Sequence, residues 1–105
     1  MEDDLKFRDL QEANGLRCES VFHGIMEWSP TDWACAMAGE CGEACNLIKK
    51  LRRGDSVRVE NIGKELADIV IYADLLAARL GLSLETCVRD KFNEVSHRRN
   101  YAGRL

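Results

Sequence analysis

The amino-acid sequence predicts an all-α protein, a four-helix bundle that forms a single domain over residues 1–105. Apolar residues recur at intervals of three and four along four segments, which is the spacing of one helix face. One proline and eight glycines leave few breaks in the chain. The only β-branched stretch, Val57 to Val59, is short and is interrupted by Arg58, so strands are not expected.

The expected helices have recognisable ends. They are placed at about residues 5–21, 30–53, 62–80 and 84–98, with a polar loop over 54–61 and frayed residues at 101–105. Ser29 and Pro30 form an N-cap and first turn for the second helix, which stops at Gly54. The third helix stops at Gly81, and Ser83 caps the fourth.

Composition excludes several classes of function. With 15 basic and 18 acidic residues the formal net charge is −3, which does not favour a nucleic-acid partner. The basic cluster Lys49 to Arg53 is interpreted as a solvated helix end, with phosphate binding as the alternative. No apolar run approaches the roughly 20 residues needed to span a bilayer, and the first residues are acidic, unlike a signal peptide. We therefore expect a cytoplasmic protein without a membrane partner.

The cysteines are five in number, an odd count for a disulfide framework: Cys18, Cys35, Cys41, Cys45 and Cys87. We interpret them as reduced, small core residues of a cytosolic protein. A zinc site built on Cys41 and Cys45, which lie four residues apart, would need two further ligands. His23 and His97 are far from that pair in sequence. Zinc is therefore not expected.

Acidic residues interrupt the apolar faces of the second and third helices. Those faces consist of Trp33, Met37, Ala44, Leu47, Ile48 and Leu51, and of Ile62, Leu66, Ile69, Ala73 and Leu80. Glu40 falls inside the first face and Glu43 at its edge, while Glu65 and Asp68 lie with Tyr72 along the flank of the second. Each helix thus presents two acids at i, i+3, on one side.

Four carboxylates that face one another across a helix pair repel unless a cation lies between them. A ligand set of oxygen atoms alone, without His or Cys, favours Mg²⁺, Mn²⁺ or Ca²⁺ over zinc. Mg²⁺ also binds substrate phosphates, and a carboxylate not fully engaged by the metal can take a proton from an attacking water. Acid pairs at i, i+3 are also common on solvated helices, so the pattern alone leaves the metal site and a structural role open.

Two ordered motifs carry a family resemblance. The segments Ala38–Asn46, which contains Glu-x-x-Glu, and Glu65–Tyr72, which contains Glu-x-x-Asp, resemble the MazG-like all-α NTP pyrophosphatases. The stretch Lys91–Ser96, followed by Arg98, is similar to the C-terminal phosphate-binding segment of that superfamily. The resemblance covers roughly residues 18–100 and is closest to short stand-alone members, including the dCTP pyrophosphatase branch.

The resemblance implies a reaction and its machinery. Members of the family hydrolyse an NTP or dNTP between the α and β phosphates, which gives a monophosphate and pyrophosphate. By position, the catalytic and metal-binding acids would be Glu40, Glu43, Glu65 and Asp68, with Mg²⁺ as cofactor and Mn²⁺ as a possible substitute. Which acid activates the water is not assigned. A role in cleaning the dNTP pool and assembly as a homo-oligomer, a tetramer built as a dimer of dimers, are also implied.

Substrate-binding residues follow from the same resemblance. Phosphate oxygens would be held by Lys91, Asn93 and Arg98, and the nucleotide pocket would be lined by Tyr72. The base and sugar would be enclosed by His23, Trp28 and Trp33, although Trp33 lies in an apolar face and is also expected in the core. His23 and Trp28 fit pocket and core equally. Asn46 would touch nucleotide or metal-bound water, and Lys49 would reach phosphates, including those of a neighbouring subunit.

Two alternatives to an enzyme are considered for the same acids. A non-catalytic helical interaction or regulatory module would carry the same acids as structural groups. A di-iron carboxylate bundle would need Glu-x-x-His pairs, but Asn46 and Asp68 stand where those histidines would be. The chain also departs from many family members by carrying Gly39, not an acid, directly before Glu40.

Overall fold

The computed structural model describes residues 4–105, and four α-helices account for most of them. Their bounds are α1 Phe7–Arg17, α2 Pro30–Arg52, α3 Val59–Arg79 and α4 Leu84–Arg98. No strand occurs in this part of the chain, so the all-α prediction is confirmed. None of these helices is long and apolar enough to cross a membrane. The acidic first residues, used above against a signal peptide, lie largely outside the described residues.

Local chemistry fixes the helix ends. Ser29 Oγ accepts a hydrogen bond from Asp32 N at 3.2 Å, and the Asp32 carboxylate accepts one from Ser29 N at 2.9 Å. This reciprocal pair satisfies backbone donors at the start of α2. Gly54 and Gly81 adopt positive φ angles of 91° and 73° after α2 and α3, a conformation that glycine adopts without steric cost. The predicted bounds are therefore correct within a few residues.

The first and second helices are joined by a short irregular segment. A π-helical turn, Cys18–Phe22, continues α1, and a single 3₁₀ turn, Ile25–Glu27, precedes α2. Isolated π turns cost hydrogen-bond geometry and are frequent at functional sites. This segment carries His23 and Trp28, so it determines where those two rings lie.

Helices α2 and α3 form the central antiparallel pair, and α1 and α4 pack mainly on α3. The buried centre is small and consists of Cys18, Trp33 and Leu75, with Ile25, Trp28, Ile71, Tyr72 and Leu76 packed around it. Trp33 lies near the start of α2, and Leu75 lies in the second half of α3. The antiparallel arrangement therefore places Glu40 and Glu65 further along the same helix pair.

Two predictions about burial are wrong. Of the five cysteines, only Cys18 is buried; the thiols of Cys35, Cys41, Cys45 and Cys87 are exposed, because they lie on faces that no other helix of the chain covers. All five are free thiols, as expected.

The buried face of α3 differs in part from the predicted one. Ile62 is buried and Ile69 and Ala73 are half-buried, as predicted. Leu66 and Leu80 are 51% and 52% exposed, whereas Asp74 and Leu75 are buried. The helix is rotated so that Glu65 and Asp68 point toward its partners and are half-buried. Because α3 has apolar residues on more than one side, periodicity alone did not identify the side that packs.

Candidate metal centre and adjoining aromatic cavity

Three carboxylates meet between α2 and α3. Glu40 and Glu43, one turn apart on α2, face Glu65 on α3, and one oxygen from each lies within 4.8 Å of the others. The i, i+3 spacing places the first two on one side of α2, and the antiparallel packing brings the third opposite them. The structure thus brings together three of the four acids that the motif predicts.

This group of three, the carboxylate cluster, forms no ion pair with a residue of the described chain. The ion pairs there join Arg53 with Asp55, Arg58 with Glu60, Arg89 with Glu85 and Lys91 with Glu94. Glu65 Oε2 is fully buried and accepts no hydrogen bond from residues 4–105. A buried acceptor without a donor is costly, and carboxylate oxygens are the ligands that Mg²⁺ prefers, so the residues fit a hard divalent cation.

Mutual repulsion changes the protonation of the cluster. Two ionised carboxylates can only accept, so they hydrogen-bond to one another only when one of them holds a proton. Such a contact with Glu65, together with its negative charge, raises the pKa of Glu43 above its ordinary value. A similar contact with Glu40, followed by desolvation, raises the pKa of Glu65. Without a cation, Glu43 and Glu65 therefore release their protons at higher pH than isolated glutamates do.

These raised pKa values predict a pH-dependent effect of Glu43→Gln on stability. A carboxyl whose pKa is higher in the folded state favours folding below its ordinary pKa of 4.5 and loses that contribution as the pH rises through the folded value. Metal-free Glu43→Gln should therefore gain in melting temperature relative to the unmodified protein as the pH rises above 4.5. Thermal melts with a chelator check this, and a difference that does not change with pH would contradict it.

Asp68, the fourth predicted acid, lies beside the cluster and not in it. Its negative charge contributes to the raised pKa of both Glu43 and Glu65, so it is electrostatically close to them. The side chain is half-buried and lines a cavity of about 350 Å³. Asp68 therefore connects the carboxylate cluster with that cavity.

The cavity, called here the aromatic cavity, is walled by rings. Its lining residues are Asn14, Arg17, Cys18, Phe22, His23, Trp28, Trp33, Asp68, Ile71, Tyr72 and Leu75. The ring centroids of His23 and Trp28 are 4.6 Å apart, and those of Trp28 and Trp33 are also 4.6 Å apart. Tyr72 continues the row at 6.2 Å from Trp33. Its volume falls in the range of small-molecule sites, and aromatic walls suit a planar ligand.

Backbone carbonyls hold these rings in place. Trp33 Nε1 donates to Ile25 O at 3.0 Å, and His23 Nδ1 donates to Gly24 O at 3.0 Å. The guanidinium of Arg79 donates through Nε to Trp28 O at 2.7 Å. Trp33 is 2% exposed and packs on Cys18 and Leu75, so it belongs both to the core and to the cavity wall. His23 and Trp28 are half-buried and line the cavity.

The predicted phosphate-binding residues lie elsewhere in the chain. Lys91 pairs with Glu94 at 3.1 Å, and Asn93 Oδ1 accepts a hydrogen bond from Leu105 N at 2.9 Å. Arg98, Asn46 and Lys49 are exposed, and none of these five residues lines the aromatic cavity. Lys91 instead borders a wider apolar groove of about 650 Å³ along α4, which includes no residue of the carboxylate cluster.

The aromatic cavity also contains residues that the motif comparison did not single out. Asn14 and Arg17 line it from α1, and Arg17 is its only lysine or arginine within residues 4–105. A signal was present, since Asn14 follows Leu10 by one helical turn and so lies on the apolar side of α1. A polar residue at such a position needs a partner or a function.

Comparisons with protein-family models, curated proteins and solved structures gave no match to this chain. The features of this chain that indicate a function are the carboxylate cluster, the aromatic cavity and the sequence motifs that contain their residues.

Proposed function

We propose that this chain is a Mg²⁺-dependent nucleoside triphosphate pyrophosphohydrolase, which cleaves an NTP or dNTP between the α and β phosphates and releases pyrophosphate. One observation carries the proposal. Carboxylates from two helices converge within 4.8 Å, with one buried oxygen unpartnered, beside a cavity whose wall includes five aromatic rings. The phosphates of a nucleotide would bind the cation held by the carboxylate cluster, and its nucleoside would stack among the rings of the aromatic cavity.

The metal would be held by Glu40, Glu43 and Glu65, with Asp68 adjacent. When bound, Mg²⁺ offsets phosphate charge and lowers the pKa of coordinated water. Mn²⁺ prefers the same oxygen ligands and is a second candidate. A cation would stabilise Glu65 Oε2 more than the other ligand atoms, because this buried oxygen has no hydrogen-bond donor in the described residues.

Side chains of the protein would orient the nucleoside and accept the proton from the attacking water. Stacking on Trp28 and His23 orients the nucleoside, and Arg17 supplies positive charge to the cavity. Glu43 is the exposed member of the carboxylate cluster, so water reaches it. We assign to Glu43 the acceptance of the proton from the attacking water.

Contacts to the leaving pyrophosphate are proposed to involve a second copy of the chain. Lys49, Lys91, Asn93 and Arg98 do not line the cavity of their own chain, yet Lys49, Lys91 and Arg98 are cations exposed to solvent. Large apolar side chains are also exposed on α3 and α4, including Leu66, Val70 and Phe92. Assembly as a dimer of dimers would cover such residues.

Pyrophosphate release tests the proposal directly. Purified protein with Mg²⁺ and a panel of common and modified dNTPs is expected to yield pyrophosphate and a monophosphate, because the attack is on the α phosphorus. Ion chromatography separates pyrophosphate from orthophosphate, and a chelator should stop the reaction. Orthophosphate as the first product, or turnover that persists in the chelator, would refute it. The same panel ranks the bases, including deoxycytidine.

A non-catalytic regulatory module is the alternative that the positions of Lys91 and Asn93 favour. Lys91 pairs with Glu94, Asn93 accepts a hydrogen bond from Leu105, and neither lines the cavity. Such a module would show no pyrophosphate release with any nucleotide. Its melting temperature would also be unchanged by Mg²⁺ together with a triphosphate that carries a non-hydrolysable α–β bridge. A clear upward shift with both ligands, larger than with either alone, would favour the enzyme.

A further inference from the structure

A buried polar pair joins α1 to α3 at the wall of the aromatic cavity. Asn14 is 3% exposed and Asp74 is 2% exposed. Asn14 Nδ2 donates to Asp74 Oδ2 at 3.0 Å and to the backbone carbonyl of Ile71 at 3.0 Å. Neither residue belongs to the carboxylate cluster or to the ring-holding contacts, so the metal chemistry proposed above makes no use of them.

These two contacts fix the orientation of the Asn14 amide. A backbone carbonyl can only accept, and so can a carboxylate, so both must face the NH₂ group of the amide. That group has two hydrogens, and both are used. The amide oxygen, Oδ1, then receives no hydrogen bond from residues 4–105, although buried amide oxygens normally have a donor.

The Asn14 amide oxygen is not fully enclosed by the described residues. Among side-chain nitrogen and oxygen atoms of the described residues, Glu65 Oε2 is the one that is fully enclosed without a partner. Asn14 Oδ1 is thus not sealed inside the protein, and its side chain lines the aromatic cavity. Two other polar groups of the wall are already engaged, since Cys18 Sγ donates to His23 O and Trp33 Nε1 donates to Ile25 O.

We propose that Asn14 is a specificity-determining residue, whose amide oxygen accepts a hydrogen bond from a donor group of the bound nucleoside. Asp74 acts as its positioning residue, because it holds the NH₂ group away from the ligand. The identity of the ligand as a nucleotide rests on the proposed function. The donor is either an exocyclic amino group of the base or the 3′ hydroxyl of the sugar, which share the chemistry that an amide oxygen recognises.

The location along α3 agrees with a nucleoside contact. Asp74 follows Glu65 by nine residues, which is about 13 Å of helix at 1.5 Å per residue. Asp68 and Tyr72, which also line the cavity, lie between them. A nucleotide with its phosphates near the carboxylate cluster would therefore extend its nucleoside toward Asn14. Because the amide cannot turn, a ligand without a donor there leaves Oδ1 unpaired.

Ligand analogues test this on the unmodified chain. Affinities are measured by tryptophan fluorescence for dCMP, for its 2-pyrimidinone counterpart without the amino group, and for dideoxycytidine monophosphate without the 3′ hydroxyl. One of the two analogues is expected to bind about tenfold more weakly than dCMP, and which one identifies the donor. A purine series, with dAMP, purine deoxyriboside monophosphate and dideoxyadenosine monophosphate, is run in parallel. Equal affinities within each series, or no binding in either, overturn the proposal.

Variants then distinguish ligand recognition by Asn14 from a purely structural contact between α1 and α3. Folded Asn14→Ala should lose the discrimination between the paired ligands, and Asp74→Asn should reduce it, because an amide at position 74 no longer demands the NH₂ group of Asn14. Asn61→Ala, exposed at the start of α3, is the matched control and should keep it. Discrimination that persists in folded Asn14→Ala contradicts the assignment. If Asn14→Ala fails to fold, the analogue series on the unmodified chain decides.

The outcome is independent of the pyrophosphate assay. Pyrophosphate release without discrimination between analogues would support the hydrolase and would mean that Asn14 only stabilises the contact between α1 and α3. Discrimination without pyrophosphate release overturns the hydrolase and leaves Asn14 as the recognition residue of a nucleotide-binding module.

Discussion

Glu65→Gln is expected to abolish Mg²⁺-dependent pyrophosphate release and, at the same time, to raise the melting temperature of the metal-free protein. The amide removes one proposed ligand of the cation, which should lower turnover by at least about a hundredfold. It also removes one of three mutually repelling charges within 4.8 Å, and its NH₂ group can donate to Glu40. Steady-state kinetics and thermal melts in a chelator measure the two effects on the same preparation.

The opposite direction of these two effects separates a metal site from a structural one. Glu12→Gln, at an exposed position of α1 outside the cluster, makes the same change in net charge and should alter neither quantity. A loss of activity together with a lower melting temperature would mean that Glu65 stabilises the fold. Retained activity would remove Glu65 from the proposed site.

Trp33→Ala should give the largest loss of stability of any single substitution in the chain. Truncation of a buried aromatic residue costs about 3–5 kcal/mol, through lost transfer free energy and the cavity left behind. Trp33 is 2% exposed, packs on Cys18 and Leu75, and donates to Ile25 O. Since domains of this size are stable by about 5–15 kcal/mol, much of that margin would disappear. Urea denaturation followed by circular dichroism measures the difference.

The neighbouring tryptophan is the matched control. Trp28 is half-buried and also lines the cavity, so Trp28→Ala should destabilise the protein less while it weakens nucleotide binding. If both alanine variants lose the same free energy of unfolding, Trp28 is a core residue to the same degree as Trp33. A Trp33→Ala protein as stable as the unmodified chain would mean that the packing around Cys18 and Leu75 is not the centre of the fold.

The ends of the helices were predictable because their causes are local. Ser29 with Pro30, and Gly54 after a run of basic residues, act on the backbone within one turn of their own position. The same holds for Ser83, whose Oγ accepts a hydrogen bond from Thr86 N. For the same reason the pairing of acids on one side of α2 followed from spacing alone, and an antiparallel neighbour was enough to bring in Glu65.

Features that depend on distant residues were not predictable in this way. The contact between Asn14 and Asp74 spans 60 positions, and no local pattern specifies it. Helix α3 carries apolar residues around much of its circumference, so its packing side is determined by contacts with α1 and α2. The exposure of Leu66 and the burial of Asp74 follow from that rotation. The placement of Lys91 and Asn93 depends in turn on the path of the last residues, which pack on α4.

The division of the site between chain segments has a consequence for how such a protein can change. All three clustered carboxylates come from α2 and α3, whereas most of the ring and polar wall of the aromatic cavity comes from residues 14–28, before α2 begins. The joining segment between α1 and α2 is irregular, and its length is not constrained by the ladder of a long helix. Ligand preference can therefore be redesigned, or can diverge between related chains, by exchanging most of this contiguous stretch while the two helices that carry the carboxylate cluster are inherited unaltered.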